Sequence, residues 1–231
     1  MLLILPVRPG DSNEELRYAL RSWQQNVSYG DLKLLTVRFK PSWLKSDFHV
    51  TGNRHGSTVL NVFDNVRLGS IEASRLGCSS ALYVNDDFFC LSEIEEVLPV
   101  RRNMTLAQHI AQYPRFGGGD FAESLRVTRR MLEEVGHADP YSYEVHQPFL
   151  VNPDRMSEVL NAIDLSSGVP QWRTMYGVVT GLEAHPVIDM SEGFEEPWMS
   201  TTDHTWLRHS RNIMARFPEA SQWELVDQTA P

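Results

Sequence analysis

Asn85, Asp86 and Asp87 stand between two apolar runs, Ala81-Leu82-Tyr83-Val84 and Phe88-Phe89-Cys90-Leu91. Adjacent carboxylates in such company repel each other unless a cation is shared between them. A hard divalent ion such as Mg²⁺ or Mn²⁺ takes one or two carboxylates and completes its shell with substrate phosphate oxygens or water. Asp86 and Asp87 are therefore candidate metal ligands. The competing reading is a polar turn whose Asn and Asp side chains cap the segment that follows.

A triplet of this kind needs a scaffold. The four apolar residues before it suit a buried strand of a parallel sheet covered on both faces. Ligands of open α/β sheets gather at the carboxyl ends of the strands, where the triplet would sit. Leu2 to Val7 reads as a first buried strand, closed by the turn Arg8-Pro9-Gly10-Asp11. Ser12 and Glu15 have capping-box spacing, and Leu16, Ala19, Leu20 and Trp23 then fall on one helical face. Leu32 to Phe39 reads as the second strand, which makes a right-handed βαβ unit the first expectation.

Thr58 to Phe63 alternates enough to be a third strand, with Asp64 or Asn65 capping a helix to about Leu76 and Gly77 as its stop. Phe116-Gly117-Gly118-Gly119-Asp120 reads as a flexible connector, a hinge rather than a P-loop because no Lys follows. Asp120 and Glu123 open another helix that ends at Gly136. Asn152 and Pro153 form a cap and first turn for the next, and a final helix runs from near Thr202 to before Pro218.

Composition sets bounds on the function. The 231 residues suit one large α/β domain, divided by pattern into 1–92 and a helix-rich 93–231. The net charge of −9 argues against a nucleic-acid-binding surface, whose footprint is basic. Of the basic residues 18 are Arg and 3 are Lys, which suits phosphate handling but fits codon bias in a GC-rich genome, bacterial or phage, equally well. Two cysteines, Cys78 and Cys90, make no disulfide framework, so reduced thiols and a cytoplasmic setting are expected. No stretch approaches the roughly 20 apolar residues of a membrane span.

Several segments occur in an order that resembles the Stealth family of sugar-phosphate transferases. They are Leu16-Arg17-Tyr18-Ala19-Leu20-Arg21-Ser22, Pro41-Ser42-Trp43-Leu44, Ile71-Glu72 and Leu82-Tyr83-Val84-Asn85-Asp86-Asp87-Phe88-Phe89. That family includes bacterial capsule polymerases and the N-acetylglucosamine-1-phosphotransferase type. Its next motif centres on a His-x-Pro, similar to His146-Gln147-Pro148, followed by an arginine that Arg173 would match and a late aspartate that Asp203 would match. Two departures fall on the nucleotide side: Val7-Arg8-Pro9-Gly10-Asp11 replaces the usual first motif, and Arg38 stands where many members have an aspartate. The opening also resembles GT-A nucleotide-sugar glycosyltransferases, whose Asp-x-Asp the Asn85-x-Asp87 spacing imitates.

The resemblance implies a GT-A-like, Rossmann-like α/β fold with a nucleotide-sugar-binding half at 1–92 and an acceptor-side half at 93–231. It implies transfer of a sugar-1-phosphate or glycosyl group from a nucleotide sugar, taken as a UDP-sugar, to a glycan, polysaccharide or protein hydroxyl. Mg²⁺ or Mn²⁺ would sit on Asp86 and Asp87, with Asp203 and His204 completing its shell. His146 would be the general base and Arg173 the phosphoryl clamp, with Asp86 among the catalytic groups. Arg8, Asp11, Arg67 and Asn85 are expected nucleotide contacts. The alternatives are a plain GT-A glycosyltransferase that releases a nucleoside diphosphate, and a non-catalytic nucleotide-sugar-binding module.

Overall fold

A computed structural model describes residues 1–10, 12–28, 30–113, 119–187, 194–195, 197–201 and 203–225, with the backbone alone at 194–195 and 203–205. In chain order the elements begin β1 (Leu2–Pro6), α1 (Glu14–Asn26), β2 (Lys33–Val37), β3 (Phe48–Val50), α2 (Thr58–Arg75), β4 (Ala81–Tyr83) and β5 (Phe88–Cys90). They continue with β6 (Val100–Arg102), α3 (Leu106–Ala111), α4 (Gly119–Glu134), β7 (Phe149–Val151), α5 (Pro153–Asn161) and α6 (Trp172–Val179). Last come β8 (His185–Val187), β9 (Phe194–Glu195), β10 (Trp198–Ser200) and α7 (Asp203–Arg216).

The central sheet has the order β3-β2-β1-β4-β7, parallel throughout except for β7 at its edge. Strand alternation splits the apolar residues between two faces. Leu3, Leu5, Leu34, Leu82 and Val84 meet Leu16, Leu20 and Trp23 of α1 on one side. Leu2, Ile4, Leu35, Val37, Ala81 and Tyr83 meet Phe63 and Val66 of α2, and the α5–α6 pair, on the other. The result is the expected mixed α/β architecture, a mostly parallel sheet flanked by helices. Among the described residues no helix is long and apolar enough to cross a membrane.

Two expectations are corrected. Thr58 to Phe63 is not a strand but the first turns of α2, capped by Ser57, whose hydroxyl accepts from the Leu60 N–H at 3.4 Å. The buried positions Phe63, Val66, Ser70 and Ala73 recur at helical spacing, and tertiary burial outweighs the β-branched Thr58, Val59 and Val62. Ser12 and Glu15 form no capping box either: Asn13 is the N-cap of α1, at φ 33° and without a side-chain cap bond. Glu15 turns inward instead, to Arg8 and Thr201.

Other signals hold. Asn152 caps α5 by accepting from the Arg155 N–H at 2.9 Å, with Pro153 in the first turn. Gly77, at φ 72°, follows the end of α2 in the left-handed region that suits glycine. Of the expected connector, 116–118 lie outside the described residues, while Gly119 and Asp120 open α4.

Helix α2 lies unusually close to the sheet. A Cβ on Gly69 would stand 2.6 Å from Ile4 Cγ2 and 3.1 Å from the Tyr83 hydroxyl. That hydroxyl donates to the Val66 carbonyl at 2.6 Å and shares a 2.7 Å bond with Ser70 Oγ.

The far end of the chain returns to α1. Glu224 takes Arg21 Nε at 2.7 Å, Arg21 Nη2 at 2.8 Å and Arg17 Nη1 at 3.0 Å, with its side chain only 2% exposed. Burial pushes this carboxyl up, but the Arg21 and Arg17 bonds outweigh it and hold it below its usual range. The Trp223 indole donates to Asp47 at 3.1 Å, so the same segment also ties down the β2–β3 connection.

Candidate functional site

The Asn85-Asp86-Asp87 triplet leaves the central sheet at the end of β4 and hands the chain to a second sheet of order β5-β10-β9. Strands β1 and β4 are neighbours whose onward connections run to opposite sides of the sheet, so their carboxyl ends flank a topological switch point. Pro6 to Pro9 lie on one side of that crevice and Asn85 to Asp87 on the other, in a cavity of about 410 Å³.

Pairing between β5 and β10 brings in residues more than a hundred positions away. Ser200 is opposite Phe88, and the Thr201 N–H donates to the Asp87 carbonyl at 3.2 Å. Ser200 Oγ then donates to Asp87 Oδ2 at 3.3 Å, and His146 Nε2 lies 2.8 Å from the same hydroxyl. His146 Nε2 is 3.9 Å from Asp87 Oδ2, and its ring meets Phe88 edge-on at 4.9 Å.

Arg8 bridges the other carboxylates. Its Nε donates to Asp86 Oδ2 at 2.9 Å, its backbone N–H to the same oxygen at 3.2 Å, and its Nη2 to Glu15 at 2.7 Å. Burial pulls the Arg8 guanidinium down, but Asp86 and Glu15 outweigh it and hold it above its usual range. Burial raises Glu15, with Thr201 and Arg8 acting against the rise.

Asp87 has no cation so close. Burial first, then the charges of Asp86 and Glu15, push its carboxyl up to about 7. Its Oδ1 is buried with no hydrogen-bond partner among the described residues. A buried acceptor in that condition costs the full desolvation of the group. Ser200 engages the other oxygen of this carboxylate, and a divalent cation would satisfy Oδ1.

Asp86 and Asp87 thus fit a site in which two protein carboxylates meet a cation and substrate oxygens supply the remainder. Among the described residues no three His, Cys, Asp or Glu side chains are arranged to hold a metal by themselves. Asp203 and His204 open α7 three residues after Ser200, and their side chains lie outside the described structure. Asp11 lies outside the described residues.

The other expected residues divide. Arg8 and Asn85 line the switch-point cavity. Arg67 is not among its lining residues; it pairs with Asp64 at 3.0 Å and approaches Asn161 at 3.5 Å. Arg173 lines a neighbouring cavity of about 370 Å³ with Phe121, Gln171 and Trp172. The two cavities share Thr58 and Val62 as walls. Arg173 donates to the Gln147 carbonyl at 3.2 Å and lies over the Trp172 ring at 4.8 Å. Behind it Glu144 accepts from the Thr174 N–H and hydroxyl, both at 2.9 Å, and so caps α6, whose N-cap residue Gln171 makes no side-chain bond. Burial raises the Glu144 carboxyl, and Arg173 opposes the rise.

Sequence reasoning missed Glu15, Ser200 and Arg54. Glu15 has the spacing of a capping residue, which hid it. Ser200 reaches Asp87 only through strand register, for which no local signal exists.

No protein-family model matches the sequence, and no curated protein matches it. Among solved structures, a crystal structure of 4-diphosphocytidyl-2C-methyl-D-erythritol synthase aligns over 92% of this chain and 98% of that chain, with 12% identity and a TM-score of 0.43.

Proposed function

We propose that this chain is a transferase that moves a sugar-1-phosphate or glycosyl group from a nucleotide sugar to a hydroxyl acceptor. The observation that carries the reading is the pair Asp86 and Asp87 at the switch-point cavity, with Asp87 Oδ1 buried and unpartnered among the described residues. Mg²⁺ or Mn²⁺ on these carboxylates would neutralise donor phosphate charge. Arg8 fixes Asp86 from two donor atoms and adds a cation at the cavity wall. Asn85 offers an amide to the donor. His146, set against Ser200 and close to Asp87, takes the acceptor proton. The adjoining cavity with Arg173 and Trp172 then receives the acceptor, its walls continuous with those of the donor cavity.

Which bond breaks is decided by the product. If the acceptor attacks phosphorus, as in the Stealth-type reading, a nucleoside monophosphate leaves; if it attacks the anomeric carbon, a nucleoside diphosphate leaves. The position of Arg173 in the neighbouring cavity favours giving the glycosyl alternative equal standing, because Arg8 is then the arginine nearer the carboxylates. The test is a panel of nucleotide sugars, beginning with UDP-sugars, incubated with the protein and Mg²⁺ or Mn²⁺. Metal-dependent release of a nucleotide is expected. Binding without any turnover across the panel would leave a binding module and overturn the transferase.

A further inference from the structure

The switch-point cavity has a second end with different chemistry. Arg38 immediately follows β2 and sits at φ 74°, a left-handed conformation rare for a side chain of its size. Its N–H donates to the Val50 carbonyl at 2.7 Å, which holds the backbone there. The guanidinium is held by Asn61 Oδ1 on Nη1 and by Asp64, 3.6 Å from Nη2. Its Nε and Nη2 are buried without a hydrogen-bond acceptor among the described residues.

Arg54 lines the same cavity from the loop Thr51-Gly52-Asn53-Arg54-His55-Gly56-Ser57. That loop is ordered by Asn61, which accepts from the His55 N–H and donates to the His55 and Ser57 carbonyls, each at 2.8 Å. Arg54 itself is exposed and makes no ion pair with a described residue.

Charge makes the asymmetry plain. At this end Arg38 and Arg54 line the cavity; Arg38 shares Asp64 with Arg67 and His55, neither of which lines it, and Arg54 pairs with no carboxylate among the described residues. At the other end Asp86 and Asp87 line the cavity with one cation, Arg8, which pairs with Asp86 and with Glu15. One cavity therefore carries surplus cation at the β2 end and surplus carboxylate at the β4 end. In dinucleotide-binding doubly wound folds the residue near the end of the second strand selects the ribose substituent: an acid takes a 2′-hydroxyl, an arginine accommodates a 2′-phosphate. A guanidinium with unused N–H donors has the fork that a phosphoryl group fills.

We propose that Arg38 and Arg54 form a phosphate subsite, so that the ligand of this cavity bears a phosphoryl group at the end remote from Asp86 and Asp87. As a statement about substrate it rests on the nucleotide-sugar reading above; as a statement about anion binding it stands on the arginines alone.

The test titrates the full chain with inorganic phosphate by calorimetry, in EDTA, so that no divalent cation can draw phosphate to the carboxylate end. Arg54→Gln should weaken binding at least about tenfold, the value of a lost charge-assisted hydrogen bond. Arg38→Gln should do the same. Because Arg38 also holds Asn61, the Arg54 variant decides the matter if the Arg38 variant fails to fold. Arg75→Gln, at the opposite end of α2 in an exposed pair with Glu72, is the control and should leave binding unchanged. Unchanged phosphate affinity in Arg54→Gln, or an equal loss in Arg75→Gln, would overturn the subsite. Phosphate binding that depends on Arg54 with no nucleotide sugar turned over leaves the subsite standing and removes the transferase. Turnover with phosphate binding indifferent to Arg54 does the reverse.

Discussion

Glu224 and Asp87 are both carboxylates taken out of water, and they meet opposite fates. Glu224 is met by three N–H donors from Arg17 and Arg21, and these more than offset its burial. Asp87 receives one hydroxyl from Ser200, has an Oδ1 with no partner among the described residues, and faces the charges of Asp86 and Glu15. Burial alone does not mark a functional acid. Burial without matched donors leaves a desolvation cost that a ligand or a proton can offset, which is what makes Asp87 the candidate.

The comparison breaks most sharply under substitution. Asp87→Asn should lower nucleotide release from the productive donor about 10³-fold, in the range seen when a preorganised electrostatic group is lost. It should also abolish any Mg²⁺-induced rise in melting temperature while the fold survives. Retained turnover in that variant would sink the assignment of Asp87. Glu224→Gln should behave the other way round. It leaves the half-buried Arg17 and Arg21 short of their counter-charge and should cost about 3 kcal/mol in denaturant unfolding. Phosphate affinity and donor binding should be unchanged, since Glu224 lines neither cavity.

A subtler separation comes from pH. The Asp87 carboxyl is raised from its ordinary value of 3.8 to about 7, so the folded state holds a proton that the unfolded state has lost. Its contribution to stability is present below about 4 and is lost as pH rises through about 7. Glu224 has the opposite sign: its contribution is present above the ordinary carboxylate value and is lost as pH falls through its depressed one. Unfolding free energies at pH 5 and pH 8 should therefore show Asp87→Asn gaining on the parent protein between them. A difference that stays flat over that interval would contradict the raised carboxyl. Cys90 gives the smallest effect: buried and pushed up to about 12, it should resist thiol reagents in the native protein, while the partly exposed Cys78 reacts.

How much of this was legible in the sequence depends on distance along the chain. The β4 strand and its acidic terminus are contiguous, and Asn152 and Pro153 act within one helical turn, so both could be read directly. Thr58 to Phe63 misled because its β-branched residues, Thr58, Val59 and Val62, are not the buried ones; the buried positions that decide the element, Phe63, Val66, Ser70 and Ala73, recur at helical spacing. Glu15 carried a familiar local pattern and served a distant one, and Ser200 meets Asp87 across 113 positions through strand register. The cation-rich end of the cavity was visible only as Arg38 out of place, since Arg54 joins it through the fold of a loop.

The close approach of α2 to the sheet at Gly69 has a consequence for affinity. With no side chain at that point, the helix backbone packs directly on the strands, and the Tyr83 hydroxyl pins it there through Ser70 and Val66. The same face, nearer the helix N-terminus, supplies Thr58, Asn61 and Asn65 to the cavity wall. Binding there has no helix left to order. The conformational entropy that a looser wall would surrender on association has already been spent in folding.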